Sequence, residues 1–244
     1  PTSTEEVAEV VKIAARHETP IVPRGAGTGL SGGAIAHQGG IVVALTRMTR
    51  ILEVDVDNRV AVVEPGLVNL DLTNAVSKYG LYFAPDPSSQ KACTIGGNVA
   101  ENAGGGHCLK YGLTPNNMLG IEIVLMDGEV MRLGGKHLDS GGYDLMGLVT
   151  GSEGLLCVVT EVTVRILQSP ETARTLLVGF ASSEAAGDCV AAIIAAGIIP
   201  GGMEMMDRPA IHAAEDFIHA GYPLDAEALL IVDLDGPAAE VDYL

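Results

Sequence analysis

An α+β fold in two parts is what this sequence predicts, and three observations carry that expectation. A short apolar strand, Pro20–Pro23, runs into a loop with five glycines between Ile21 and Gly33, and no helical pattern follows. From Cys157 to Ile166 the chain alternates, with Val158, Thr160, Val162, Val164 and Ile166 on one side and Glu161 and Arg165 on the other. That is the pattern of a half-buried strand. After Gln168-Ser169-Pro170 the texture changes to a β-α-β-α-β run, which reads as a second domain. The expected domains are residues 1–168 and 169–244.

The elements follow in order. Ser3-Thr4-Glu5-Glu6 is a capping-box signature, and Val7, Val10, Val11 and Ala14 recur at helical spacing, so a helix is expected to end near His17. Strands are expected at Ile41–Leu45, Ile51–Asp55 and Val60–Glu64, each short and β-branched. A helix over Leu70–Tyr79 should stop at Gly80, with another strand at Leu81–Phe83. The stretch from Pro85 to Asn117 is weakly periodic and reads as a long functional loop. Ile121–Met126 and Glu129–Leu133 should form a hairpin around a two-residue Asp127-Gly128 turn. In the second domain, strands Thr175–Phe180, Gly202–Met206 and Ala228–Leu234 alternate with helices Ser183–Ala196 and Pro209–Ala220. A further helix start follows Asp235-Gly236-Pro237.

Composition narrows the function. With 48% hydrophobic and 18% charged residues the chain can build a core. Its net charge of −17 repels phosphate backbones and anionic lipids, which argues against nucleic acid and direct membrane insertion. An anionic ligand must then be held by local N–H groups. Cys93, Cys108, Cys157 and Cys189 form no Cys-x-x-Cys pair, favouring free thiols in a reducing, cytoplasmic setting. The start at Pro1 without Met or a signal pattern suggests that the N-terminus is incomplete.

The glycine loop, Arg24-Gly25-Ala26-Gly27-Thr28-Gly29-Leu30-Ser31, is suited to an anion, because bare N–H groups converge and glycine reaches positive φ. Gly27-x-Gly29-x-x-Gly32 matches a dinucleotide fingerprint, but Gly33–Gly40 is too short and glycine-rich for the helix that a Rossmann unit needs. Gly29-x-Ser31-x-Gly33 lacks the strand-turn-helix setting of a hydrolase elbow, so Ser31 reads as an anion ligand or a turn residue. His212, Glu215 and His219 at i, i+3 and i+7 read either as metal ligands or as an exposed polar helix face. Pro85-Asp86-Pro87-Ser88-Ser89, Thr94-Ile95-Gly96-Gly97-Asn98, Asn102-Ala103-Gly104-Gly105-Gly106 and Gly151-Ser152-Glu153-Gly154 are each turn-like. Jointly they could line an extended dinucleotide.

These blocks, with Leu109-Lys110-Tyr111-Gly112, Asn117–Gly128, Gly142–Ile166, Ala185-Ala186-Gly187-Asp188 and Glu204-Met205-Met206-Asp207, resemble the FAD-binding domain of the vanillyl-alcohol-oxidase/PCMH flavoprotein superfamily. Within it, the resemblance is to the branch of D-lactate dehydrogenase, D-2-hydroxyglutarate dehydrogenase and the flavoprotein of glycolate oxidase. It implies a PCMH-type domain of two α+β subdomains clasping FAD, followed by an incomplete ferredoxin-like cap. By that resemblance Pro23 and Arg24–Leu30 would hold the pyrophosphate, with Ser31 beside them. Pro85, Asp86, Thr94, Gly96, Gly97, Asn102, Ala103, Gly104 and Gly105 would line the ribityl and flavin region. Glu153, Gly154, Cys157 and Val158 would complete the site. Thr28 stands where some relatives attach flavin covalently through histidine, so the implied FAD is non-covalent. Cys157 stands where relatives often have glycine and would crowd the cofactor if the backbone approaches closely; Gly106 stands where proline is common.

The resemblance implies oxidation of a small D-2-hydroxy acid, glycolate or D-lactate first. The hydroxyl proton would pass to a base and the α-hydrogen to flavin N5, with electrons going on to a partner subunit or quinone. Homo- or hetero-oligomers and peripheral membrane attachment through partner subunits fit that reading. The catalytic base, the substrate-binding arginine and any divalent-metal ligands would belong to a later region, so no catalytic residue is assigned. The alternatives are a flavin-dependent enolpyruvyl-sugar reductase and a non-catalytic flavin-binding or assembly subunit.

Overall fold

A computed structural model describes residues 1–36, 38–137 and 141–244. His37, inside the Gly33–Gly40 stretch, lies outside the described residues. The chain divides into two compact units, Pro1–Gly105 with Gly112–Ser169, and Gly106–Tyr111 with Pro170–Leu244.

The first unit opens with α1 (Thr4–Arg16), where Ser3 Oγ accepts the Glu6 N–H at 3.3 Å. The reciprocal half of the capping box is displaced: Glu6 accepts from the Thr2 N–H at 2.7 Å. Val7, Ala8, Val11 and Ala14 form the buried face of α1. Strands β1 (Ile21–Arg24) and β2 (Ile41–Ala44) pair in parallel, so residues 25–40 serve as the crossover. No helix forms among the described residues of that crossover.

The chain continues through β3 (Ile51–Asp55), β4 (Val60–Val63), α2 (Asn69–Val76), β5 (Leu81–Tyr82), α3 (Ile95–Glu101), α4 (Cys108–Tyr111), β6 (Met118–Val124), β7 (Val130–Gly134), α5 (Leu145–Val149), β8 (Val158–Arg165) and β9 (Leu167–Gln168). A five-stranded antiparallel sheet runs β3-β4-β8-β6-β7, while β5 pairs with β9. The expected helix after Leu70 starts at Asn69 and tightens into a 3-10 turn at Ser77–Tyr79, closed by Gly80 at φ 68°. The hairpin differs from expectation. Leu125 N–H bonds to the Glu129 carbonyl at 2.9 Å, leaving three residues in the loop, with Gly128 at φ 82° supplying the left-handed position.

Two expectations are corrected. The stretch Pro85–Asn117 is not one irregular loop: it holds α3, α4 and a 3-10 turn at Thr114–Asn117. Glycines at 96 and 97 weaken the intrinsic helix tendency, and tertiary contacts override that weakness. The alternation expected of Cys157–Ile166 holds from Glu161 to Ile166 and fails before it. Between Glu122/Glu161 and Ile123/Val159 the register shifts, and this bulge moves the alternation to the other side. Val159, Val162, Val164 and Ile166 face one core with Leu72, Ile95 and Val99, whereas Val158 joins Val7, Val11 and Val124 under α1. Glu161 and Arg165, on the side away from the first core, stay half-buried.

The second unit comprises α4, β10 (Thr172–Phe180), α6 (Ser183–Ala195), β11 (Gly202–Asp207), α7 (Arg208–Ile218), β12 (Ala228–Gly236) and α8 (Ala238–Tyr243). Its antiparallel sheet has the order β10-β12-β11. Ser182 caps α6 through the Ala185 N–H at 3.1 Å, and Asp207 caps α7 through the Ala210 N–H at 3.0 Å. Ile211, Ala226 and Leu229 form the core, with Met206 and Tyr222 packed against it. Asp235, near the end of β12, fastens α4 into this unit. Its two carboxylate oxygens take the Lys110 ammonium at 2.7 Å and the Tyr111 hydroxyl at 2.6 Å.

Candidate functional site

Helix α3 organises the first unit around a cleft. At its start, Thr94 Oγ1 accepts the Gly97 N–H at 3.3 Å. The β1 strand delivers Gly25 against this cap, so closely that a Cβ on Gly25 would lie 2.2 Å from Thr94 Oγ1. Gly96 packs on Pro65, where a Cβ would come within 2.6 Å of the ring. At the other end Asn102 closes the helix at φ 50°, a left-handed position that asparagine tolerates better than most residues. The last carbonyls of the helix, Val99 and Ala100, accept the Gly151 and Glu153 N–H groups at 2.8 and 2.9 Å, satisfying acceptors that a helix end leaves open. Glu153 itself sits at φ 54°, followed by Gly154 at φ 76°.

A buried amide network pins the neighbouring loop. Asn69 Nδ2 donates to the Pro85 carbonyl at 3.0 Å and to Asn98 Oδ1 at 2.9 Å, and Asn98 Nδ2 donates to Cys93 Sγ at 3.3 Å. Gly105 lies flat on Asp86, where a Cβ would meet the Asp86 carbonyl oxygen at 2.1 Å. The glycine loop, residues 85–106 and residues 151–154 thus meet around one helix.

The resulting cleft is walled by Pro23, Arg24, Gly25, Ala26, Gly27, Thr28, Gly29, Thr94, Gly97, Ala103 and Glu153. An adjoining cleft shares Pro23, Arg24, Gly25, Thr94 and Gly97, and adds Gly96, Gly154 and Cys157. Other expected residues lie off these walls. Leu30 is fully exposed, and Ser31 donates to Glu101 Oε2 at 2.8 Å. Pro85 and Asp86 support the wall through the contacts just described, as do Asn102 and Gly105. Gly104 lies between Ala103 on the wall and Gly105 behind it. The Val158 side chain is buried in the core under α1. Burial pushes the Cys157 thiol up to about 11. Sequence reasoning did not single out Cys93, Ala100 and Glu101 as wall residues. Thr94 before Ile95 and Val99 was the available signal: an N-cap followed by an i, i+4 apolar pair marks α3 and brings its side chains along.

The two sides of this cleft differ in their free hydrogen-bond donors. At the start of α3, the Ile95, Gly96 and Gly97 N–H groups are already engaged, by Leu67 O, Pro65 O and Thr94 Oγ1. In the glycine loop the reverse holds: among the described residues the N–H groups of Ala26 through Leu30 make no hydrogen bond. Arg24 Nε is buried without a partner, as is Asn102 Oδ1. A run of open donors beside the unpaired Arg24 Nε, with glycines at 25, 27, 29 and 97 on the walls, fits an anionic group such as a pyrophosphate. Buried polar atoms rarely stay unpaired; the third such atom among the described residues, Arg165 Nε, lies off both cleft walls.

His212, Glu215 and His219 do not form a ligand set. Glu215 accepts the Gly221 and Tyr222 N–H groups at 2.9 Å, closing the turn after α7, and His219 is the left-handed residue at that end. Among the described residues, no group of three or more His, Cys, Asp or Glu is arranged to hold a metal ion.

Comparison with known proteins agrees with this chemistry. Residues 1–134 match the family model described as FAD binding domain, and residues 169–243 match that of FAD linked oxidases, C-terminal domain. The glycolate oxidase subunit GlcD of Escherichia coli K12 is 56% identical over 241 residues, covering 99% of this chain and 48% of that protein. GlcD of Bacillus subtilis is 45% identical over 243 residues, covering 99% and 52%. A D-lactate dehydrogenase of Archaeoglobus fulgidus is 41% identical over 216 residues, covering 88% and 48%. The chain spans about half the length of these curated relatives. A solved alkyldihydroxyacetonephosphate synthase superposes with a TM-score of 0.84 at 23% identity, over 100% of this chain and 48% of that one, a likeness of fold. The family model covers more than half of the chain and the relatives agree with it: the chain belongs to the FAD binding domain family, and FAD is its cofactor.

Proposed function

We propose that FAD lies across the two adjoining clefts and that the protein is an FAD-dependent dehydrogenase of a small D-2-hydroxy acid, glycolate or D-lactate first. The carrying observation is the glycine loop, with five consecutive N–H groups unbonded beside the buried, unpaired Arg24 Nε. Arg24 and the Ala26–Leu30 backbone would hold the pyrophosphate. Thr94, Gly96, Gly97 and Ala103 would carry the ribityl and flavin portion, and Glu153, Gly154 and Cys157 would close the wall. When bound, FAD supplies the two-electron acceptor for the substrate α-hydrogen. The chain's own residues bind the cofactor, orient it and keep water from the cleft. The acid substrate is supported by the glycolate oxidase subunits and D-lactate dehydrogenase among the relatives. Electrons would pass to a partner subunit or a quinone. No helix among the described residues is long and apolar enough to cross a membrane, and we place the protein in the cytoplasm, reaching a membrane only through partners.

The flavin is held without a covalent bond. Thr28 offers no nucleophile of the kind that attaches flavin, Cys93 Sγ accepts from Asn98 at 3.3 Å, and the Cys157 thiol is pushed up to about 11 and stays protonated. Acid precipitation of the FAD-loaded protein should release all yellow colour to the supernatant; colour retained by the polypeptide refutes this. The activity is tested by anaerobic titration of the FAD-loaded protein. Bleaching by glycolate, D-lactate or D-2-hydroxyglutarate supports the proposal. Bleaching by NADPH alone indicates the enolpyruvyl-sugar reductase chemistry, and bleaching by none indicates a flavin-binding or assembly role.

A further inference from the structure

We infer that Glu101 is a positioning residue for the cofactor: through Ser31 it holds the glycine loop in its anion-receiving shape. The inference rests on the FAD placement proposed above. The loop has little of its own to hold it, since from Ala26 to Ile35 the one backbone hydrogen bond donated is Ile35 N–H to Gly32 O, at 3.0 Å. What ties it to the rest of the unit is the Ser31 hydroxyl, which donates to Glu101 Oε2 at 2.8 Å across 70 residues of sequence. Two loop glycines fit this contact. A Cβ on Gly29 would lie 3.1 Å from Glu101 Oε1, and one on Gly33 would lie 3.4 Å from the same atom. Neither glycine has a positive φ, so their bareness admits the carboxylate rather than an unusual backbone turn.

The placement of Glu101 is otherwise unfavourable. It is the last residue of α3, where a negative charge opposes the helix dipole. It also lines the cleft that receives an anion, beside Glu153, so its charge repels a pyrophosphate. The side chain is exposed and contributes nothing to the core. Both penalties come from the charge, whereas the bond from Ser31 needs only an acceptor oxygen. Glu101→Gln therefore keeps the latch and removes the repulsion, whereas Glu101→Ala removes both.

The test is FAD affinity, read by quenching of flavin fluorescence, for wild type, Ser31→Ala, Glu101→Gln, Glu101→Ala and the Ser31→Ala/Glu101→Ala double variant. Expected are Glu101→Gln binding at least as tightly as wild type, Glu101→Ala binding more weakly than Glu101→Gln, and Ser31→Ala weakened roughly tenfold. Adding Ser31→Ala to Glu101→Ala should have no further effect, because the two act through one bond. Proteolytic nicking within residues 26–31 without FAD should be faster in Glu101→Ala and unchanged in Glu101→Gln. Equal affinities of the two Glu101 variants, or a Ser31→Ala effect that persists in the Glu101→Ala background, overturns the inference. Wild type that takes up no FAD overturns the cofactor placement, and this inference with it.

Discussion

Replacing Gly25 by alanine offers a direct test of how the cleft is assembled. The added Cβ would lie 2.2 Å from Thr94 Oγ1, closer than atoms can approach, yet 3.4 Å from Thr94 Cβ and 3.7 Å from the Gly97 nitrogen, which are ordinary contacts. One oxygen is thus the whole obstacle. Thr94 can swing away, giving up its bond to the Gly97 N–H and costing about 1 kcal/mol, as lost N-caps do. Otherwise the loop moves off α3, an overpacking strain of about 1–3 kcal/mol. Thr94→Ala alone should cost about 1 kcal/mol for the cap. The double variant Gly25→Ala/Thr94→Ala has no oxygen to clash with, so its cost should exceed that of Thr94→Ala by less than about 0.5 kcal/mol. Urea unfolding of the four proteins, with FAD affinity measured in parallel, gives the coupling directly. A double variant that simply sums the two single costs refutes the claim that the Gly25–Thr94 contact sets the spacing between glycine loop and helix.

Three further outcomes are expected. Arg24→Gln should weaken FAD binding roughly tenfold to hundredfold, the worth of a charge-assisted hydrogen bond in a partly desolvated site, and unchanged affinity in a fluorescence titration would remove Arg24 from the pyrophosphate. Asp235→Ala removes the carboxylate that Lys110 and Tyr111 share within the second unit and leaves Lys110 its bond to the main-chain carbonyl of residue 235, so hydrogen exchange at residues 106–111 should accelerate while β6 and β8 keep their protection, with a stability loss of about 1–3 kcal/mol. Exchange at 106–111 that stays slow would show that another contact fastens the segment. Cys157 in the folded protein ionises only near 11, against 9.0 for a free thiol, so between these values the unfolded chain binds fewer protons than the folded one. Stability should therefore fall as pH rises through that window, less steeply in Cys157→Ala. At pH 8 the native thiol should resist a thiol reagent that modifies it after unfolding; rapid native labelling would contradict its burial.

The parts of the molecule written in local patterns were legible in advance. Val7, Val10, Val11 and Ala14 marked α1, β-branched runs marked β3 and β4, and Gly80 marked the end of the helical segment after Asn69, because short-range periodicity and turn chemistry act within a few residues. The bulge in β8 was not legible. It depends on which residue of β6 stands opposite Thr160, a pairing between strands distant in sequence. Helix α3 escaped notice because its two glycines argue against a helix locally, while Pro65 and Gly25 approach it so closely that larger residues would not fit. Residues 106–111 read as a continuation of the glycine-rich stretch, yet Asp235, far along the chain, fastens them to the second unit.

Taken alone, the amino-acid order determined elements with a strong local pattern such as α1, β3 and β4, the glycine loop with Arg24 at its base, and the family resemblance, since all of these reside in neighbouring residues. Only the tertiary structure decided which donors are open. The N–H groups at the start of α3 are consumed by Leu67, Pro65 and Thr94, while those of Ala26–Leu30 remain unbonded. Hydrogen-bond capacity is a balance over every group that folding brings within reach. A sequence lists the donors, but the partners that claim them come from elsewhere in the chain.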